Sequence, residues 1–173
     1  ELSELCDTNA VTLIMVGDRT QPWNKPLALN IGIRATRPEL PFLMTMDADM
    51  ILAPNFLAVV LDRLQTEPPA LVLCRIADLP QHASLPSNCE TLMESFERFH
   101  AMTRLRPCTG TGGIQAARRS FFFDIRGYDE DLLWWGAMDG DMVNRARLAG
   151  FEIEWIESRT AMLHQWHQRK YTV

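Results

Sequence analysis

A five-residue apolar run, Phe42-Leu43-Met44-Thr45-Met46, stops on Asp47-Ala48-Asp49. The run is too short for a helix and suits a buried strand, which has to leave the core where the two carboxylates begin. Such a strand end supplies paired carboxylate oxygens, the ligands Mn²⁺ and Mg²⁺ share with water and phosphate. Open α/β sheets bind their ligands at the carboxyl ends of strands. Aspartates also recur wherever strands turn into loops, so Asp-x-Asp alone does not separate a metal site from a turn.

The flanking pattern alternates strand and helix. Residues 11–16 form another short apolar run, closing on Gly17-Asp18, and read as a strand. The next helix has Asn24 as its cap and Pro26 in its first turn, with Ala28, Gly32 and Ala35 as a small-residue stripe that permits close approach to a sheet. Residues 55–65 predict a helix with Phe56, Leu57, Val60, Leu61 and Leu64 on its buried face. Residues 70–76 predict a strand. After a loop at 80–86, Ser87 and Glu90 suggest a capping box for a helix to about residue 103, burying Leu92, Phe96 and Phe99. A glycine-rich turn at 109–113 feeds a strand at 114–117, a helix at 140–149 stops at Gly150, and residues 151–156 and 161–164 read as strands. This order favours a parallel sheet covered by helices, in one domain spanning 1–173, with no internal repeat or low-complexity linker.

Composition narrows the partners. Of 173 residues, 47% are hydrophobic and 23% charged, an ordinary globular balance, and the net charge of -5 argues against non-specific nucleic-acid binding. Cys6, Cys74, Cys89 and Cys108 show no Cys-x-x-Cys spacing, so buried or idle thiols in a reducing compartment are expected. The apolar stretches are shorter than a membrane span, and the acidic start is no signal peptide. A cytoplasmic or membrane-peripheral location follows as the expectation.

Further motifs surround Asp47-Ala48-Asp49 in order. Upstream is NKPLALNIGI at 24–33. Downstream are GGIQAARR at 112–119, Gly127-Tyr128-Asp129-Glu130, Trp134-Trp135-Gly136-Ala137-Met138-Asp139, and His164. Together these resemble the family-2 glycosyltransferases with the GT-A fold, a Rossmann-like mixed sheet flanked by helices, with a C-terminal part similar to the galactosyltransferases. The resemblance runs from about residue 11 to the C-terminus.

It implies a nucleotide-sugar donor, a UDP-sugar by that similarity, a glycan acceptor, and Mn²⁺ or Mg²⁺ as cofactor. Asp47 would contact the ribose or donor sugar, while Asp49 and His164 would ligate the cation bridging the diphosphate. Lys25, Asn30 and Arg118 would serve donor binding, with His167 and Arg169 as further candidates for diphosphate contact. Asp139 would be the general base that takes the acceptor's proton, although its place before Gly140-Asp141-Met142-Val143 also suits a helix cap. Trp134 and Trp135 cannot both be core, and one would stack on an acceptor sugar. The reaction implied is an inverting transfer.

Two departures stand out. Met138 occupies a position that is acidic in galactosyltransferase-like sequences, which bears on acceptor recognition. Nothing before residue 11 matches the family's first β-α-β segment, so the chain is expected to be N-terminally truncated or divergent there, to bind nucleotide weakly alone, and to self-associate through an exposed strand edge at 11–16. A non-catalytic nucleotide- or sugar-binding remnant is the main alternative, and a metal-dependent phosphohydrolase, which would need a second metal cluster, is a third.

Overall fold

The computed structural model describes residues 11–17, 23–86, 88–106, 110–133 and 137–168. Among the described residues there are six helices and eight strands: α1 Lys25–Ala35, β1 Phe42–Met46, β2 Met50–Leu52, α2 Phe56–Leu64, β3 Ala70–Leu73, β4 Ile76–Asp78, α3 Cys89–Glu94, α4 Phe96–His100, β5 Arg104–Leu105, β6 Ile114–Arg118, α5 Arg119–Asp124, α6 Ala137–Leu148, β7 Glu152–Trp155 and β8 Met162–His164. The strands form two four-stranded sheets, ordered β1-β6-β3-β7 and β2-β8-β4-β5. The chain steps from the first sheet to the second at three places, between β1 and β2, between β3 and β4 and between β7 and β8. The first of these crossings is Asp47-Ala48-Asp49.

Both sheets are mixed, where strand–helix alternation had favoured a parallel one. β6 runs antiparallel between β1 and β3, and only β3–β7 and β4–β8 are parallel. The run at 70–76 is accordingly two strands, whose β4 half belongs to the other sheet. Residues 11–16 do not form the expected strand. Val11, Leu13, Ile14 and Met15 are exposed, because an apolar run becomes a strand only with a ladder partner, and none among the described residues supplies one.

Helix burial differs from the sequence pattern in instructive ways. In α1, Asn24 accepts a hydrogen bond from Leu27 N–H at 2.9 Å, as its capping role requires. The buried side, however, is Pro26, Asn30 and Ile33, while Ala35 faces solvent. In α2 the buried set is Phe56, Val59, Val60, Arg63 and Leu64, with Leu57 and Leu61 exposed. Arg63 tolerates burial because its guanidinium is fully engaged, donating to Glu154, Glu152, Thr66 and the Pro68 carbonyl. The helix expected to run to residue 103 breaks at Ser95 into α3 and α4. Asn88 rather than Ser87 caps it through Thr91 N–H, and Ser87 lies outside the described residues. Phe96 and Phe99 are buried as expected.

The core falls into three clusters. One lies between α1, α5, α6 and the first sheet around Phe121, Phe122, Tyr128 and Met142; a second lies under α2 around Phe56 and Ile156; a third lies under α4. A polar seam runs through the first. Asn30 donates to the Tyr128 carbonyl and accepts from Tyr128 N–H, both at 2.8 Å. The Tyr128 hydroxyl donates to Gln115 Oε1 at 2.7 Å and lies 2.8 Å from Thr45 Oγ1, while Gln115 Nε2 donates to the Thr111 and Asp139 carbonyls. Burial is what pushes the Tyr128 hydroxyl far above its ordinary range, so it acts as a neutral link.

The seam depends on Gly127, at φ 69°, where a Cβ would collide with the Asn30 amide. Gly127→Ala is therefore expected to lose about 1–2 kcal/mol from the left-handed backbone alone and more from the displaced Asn30. Urea unfolding checks this, and an unchanged midpoint would contradict the strut role.

Candidate functional site

The two crossing carboxylates turn to different partners. Asp47 N–H extends the β1–β6 ladder to the Gly113 carbonyl at 3.1 Å, and its side chain pairs with Lys25 Nζ at 2.5 Å. Asp49 belongs to the second sheet, where antiparallel β2–β8 pairing sets Met50 opposite His164 and Gln165 N–H donates to the Asp49 carbonyl at 3.0 Å. That register brings His164 Nε2 to 3.3 Å and His167 Nε2 to 3.1 Å from Asp49 Oδ2. One ligand atom from each residue lies within 4.8 Å of the others, and the imidazoles meet edge to face at 5.3 Å.

The donor set suits a divalent cation. Asp49 Oδ1 is buried with no hydrogen-bond partner, an orphan acceptor that a cation would satisfy. His164 is oriented from behind, its Nδ1 2.8 Å from Asp78 Oδ1, as metal-binding histidines commonly are. Burial works to raise the Asp78 pKa, but hydrogen bonding and charge from Arg106, with His164 adding to both, outweigh it and leave the carboxyl below its usual value. Two imidazoles beside one carboxylate fit Mn²⁺ better than the all-oxygen shell Mg²⁺ prefers.

Asp139 lies in the first turn of α6, not before it as a cap, because the helix begins at Ala137. Its carboxylate rests over Gly112, where an added Cβ would stand 2.5 Å from Oδ2 and would push the carboxylate out of its present place. Burial raises the Asp139 pKa; Lys25 pulls it down and Asp47 pushes it up, which ties all three into one electrostatic neighbourhood. The carboxylate borders a cleft of about 510 Å³ lined also by Thr111, Val143, Asn144, Arg147 and Trp155.

Other expected residues are placed elsewhere. Arg118 pairs with Phe42 at the opposite end of β1 from Asp47 and forms a salt bridge to Glu67, so it cannot serve the same ligand. The Asn30 amide is committed to Tyr128 and Glu130, a buried strut rather than a donor contact. His167, expected at the diphosphate, instead joins His164 at Asp49. Trp134, Trp135 and Arg169 lie outside the described residues. Among the cysteines, Cys74 is buried and free, and burial, with Glu157 adding, pushes its thiol up to about 12, as an idle thiol should be. Sequence reasoning missed Asp78, Arg106, Gln115 and Tyr128. Asp78 does end an apolar strand as Asp47 does, but nothing local marks Arg106.

The fold is of the GT-A type. The profile described as glycosyl transferase family 2 matches residues 11–126, and that described as the N-terminal domain of galactosyltransferase matches residues 91–168. The chain belongs to glycosyl transferase family 2. A probable N-acetylgalactosaminyltransferase 9 of Caenorhabditis elegans is 40% identical over 52 residues, 30% of this chain and 9% of that protein. Among solved structures, the catalytic domain of Drosophila β1,4-galactosyltransferase 7 with xylobiose superposes at TM-score 0.55 and 17% identity, covering 97% of this chain and 63% of that one. A GalNAc-T7 structure with UDP, GalNAc and Mn²⁺ superposes at TM-score 0.65 and 16% identity, covering 96% and 35%. The chain thus spans under two thirds of each relative. No helix among the described residues is long and apolar enough to cross a membrane.

The raised Asp139 pKa predicts a stability trade-off. Its contribution to stability is fully present below the unfolded value of about 3.9 and is lost as pH rises through the higher folded value. Asp139→Asn, which has no proton to lose, should match the parent near pH 4 and exceed it near pH 7. Denaturant melts at both pH values check this; a parent that gains on the variant as pH rises would contradict it.

Proposed function

We propose that this chain carries the catalytic face of an inverting, Mn²⁺-dependent glycosyltransferase that moves a sugar from a nucleoside-diphosphate donor, a UDP-sugar, to a glycan hydroxyl. The observation that carries this reading is that ligand atoms of Asp49, His164 and His167 lie together, both imidazoles against Asp49 Oδ2, while the same carboxylate's Oδ1 is buried without a hydrogen-bond partner. These three residues would hold a divalent cation, which would lend positive charge to the departing diphosphate. Asp47 and Lys25 stand on the donor side, the lysine exchanging its carboxylate partner for phosphate when donor binds. The acceptor occupies the cleft beside Asp139, where Trp155 and Val143 offer apolar wall and Asn144 a hydrogen-bonding group.

Asp139 accepts the proton of the acceptor hydroxyl. That oxygen forms its bond to the anomeric carbon as the bond to the diphosphate oxygen breaks, which inverts the anomeric configuration. A partly desolvated carboxylate with raised pKa is a stronger base than an exposed one. Residues 11–16 remain the proposed surface for self-association, now as an exposed apolar segment rather than an unpaired strand.

Calorimetric titration with a panel of nucleoside diphosphates, with and without Mn²⁺, tests the donor site. Metal-dependent binding of one nucleotide is expected, lost in Asp49→Ala and weakened in both His164→Ala and His167→Ala; Mn²⁺-dependent affinity surviving Asp49→Ala would overturn the ligand assignment. Where transfer is measurable, Asp139→Asn should lower turnover by roughly 10²–10⁴ while donor binding persists. The product anomer, read by proton NMR, checks inversion, and donor hydrolysis without transfer would favour a hydrolytic role instead.

A further inference from the structure

Asp78 is not among the three converging ligands, yet it is bound to one of them. β4 and β8 run parallel with Asp78 paired to His164, and β5, antiparallel on the other side of β4, delivers Arg106 just beyond its end. Arg106 N–H donates to the Ile76 carbonyl at 2.9 Å, which anchors its backbone to β4. Its guanidinium then grips both carboxylate oxygens, Nε to Oδ2 at 2.7 Å and Nη2 to Oδ1 at 2.6 Å. His164 Nδ1 lies 2.8 Å from the same Oδ1 and 3.2 Å from Arg106 Nη2.

Those distances decide where the ring proton sits. Arginine only donates. If Nδ1 were bare and accepted from Arg106, its lone pair would face a carboxylate oxygen at 2.8 Å with no proton between them. If Nδ1 carries the proton, imidazole and guanidinium are two donors converging on one carboxylate oxygen, which has lone pairs for both. Asp49 Oδ2 stands farther from Nε2, at 3.3 Å, than Asp78 Oδ1 from Nδ1, so the proton is better placed on Nδ1, and the neutral ring keeps its Nε2 lone pair toward Asp49, where a cation would stand between them.

We infer that Asp78, locked by Arg106, is a positioning residue that holds His164 in its Nδ1–H form and presents Nε2 to a divalent cation shared with Asp49 and His167. The inference rests on the metal-site reading above. Asp78 touches neither donor nor acceptor in this scheme and acts only through the imidazole; Arg106 keeps the carboxylate from turning away.

Two measurements on the full chain test it. Nitrogen-15 NMR of the metal-free protein at about pH 8, above the ordinary histidine range, should show His164 as the Nδ1–H tautomer, and Asp78→Ala should shift it toward the Nε2–H form. Mn²⁺ titration followed by electron paramagnetic resonance should show affinity about 10–100-fold weaker in Asp78→Ala. Asp78→Asn keeps a carbonyl acceptor and the side-chain shape, so it should fold even if the alanine variant does not, hold the tautomer, and weaken Mn²⁺ severalfold. Unchanged Mn²⁺ affinity in a folded Asp78 variant, or an Nε2–H tautomer in the parent, would overturn the inference alone. Failure of the parent chain to bind Mn²⁺ would overturn the metal reading and this inference with it.

Discussion

The antiparallel pairing of Met50–Leu52 with Met162–His164 brings the two halves of the candidate site together. Asp49 leaves the β1 side of the molecule, and His164 and His167 arrive from its C-terminal end. Only this short ladder, with Gln165 N–H on the Asp49 carbonyl, sets them opposite each other. Because side chains alternate along a strand, a slip of one residue would turn His164 away from Asp49. Met162 and Leu163 are buried in different apolar clusters on opposite faces of β8, so a slip would exchange them and turn the polar His164 toward the cluster that holds Leu163.

A second constraint acts on Asp139. The seam from Asn30 through Tyr128 and Gln115 joins α1, β1, β6 and the start of α6 by hydrogen bonds made inside the core, where an unmade bond costs more than at the surface. Gln115 bonds to the backbone of Asp139 and not its carboxylate, so the network fixes the residue's position while leaving the acidic group facing the cleft. The raised pKa is a cost the fold carries there, consistent with a group kept for chemistry rather than for stability.

Much of this was legible in the sequence, and the failures share a cause. Strand β1 and the capped start of α1 were readable because each is marked by local composition, a short apolar run and an Asx cap; Asp49 stands out as a carboxylate at a strand end, whereas His164 enters only through the family resemblance. Long-range partners were not readable. Arg118 and Asn30 carry suitable chemistry in suitable motifs, but one lies at the wrong end of β1 and the other is spent inside the core. His167 reads as a diphosphate contact and not as a neighbour of Asp49, because spacing along the chain cannot reveal which residues after a strand turn back toward a carboxylate. The exposed Leu57 and Leu61 and the buried Arg63 show the same limit, since apolarity predicted a face that ion pairs with β7 redrew.

The ligand group also has an order of assembly. Asp49 lies early in the described residues and the histidines late, so the proposed cation site would form only once nearly all of the intervening fold has closed, a loop-closure cost met late. During synthesis an emerging chain would offer Mn²⁺ only an isolated aspartate. Once β8 docks, an ion bound at the proposed site would favour the closed form over every earlier one, the more so the higher its concentration relative to its dissociation constant. Metal supply would then influence how much chain reaches and keeps the finished state, apart from any part the ion plays in turnover.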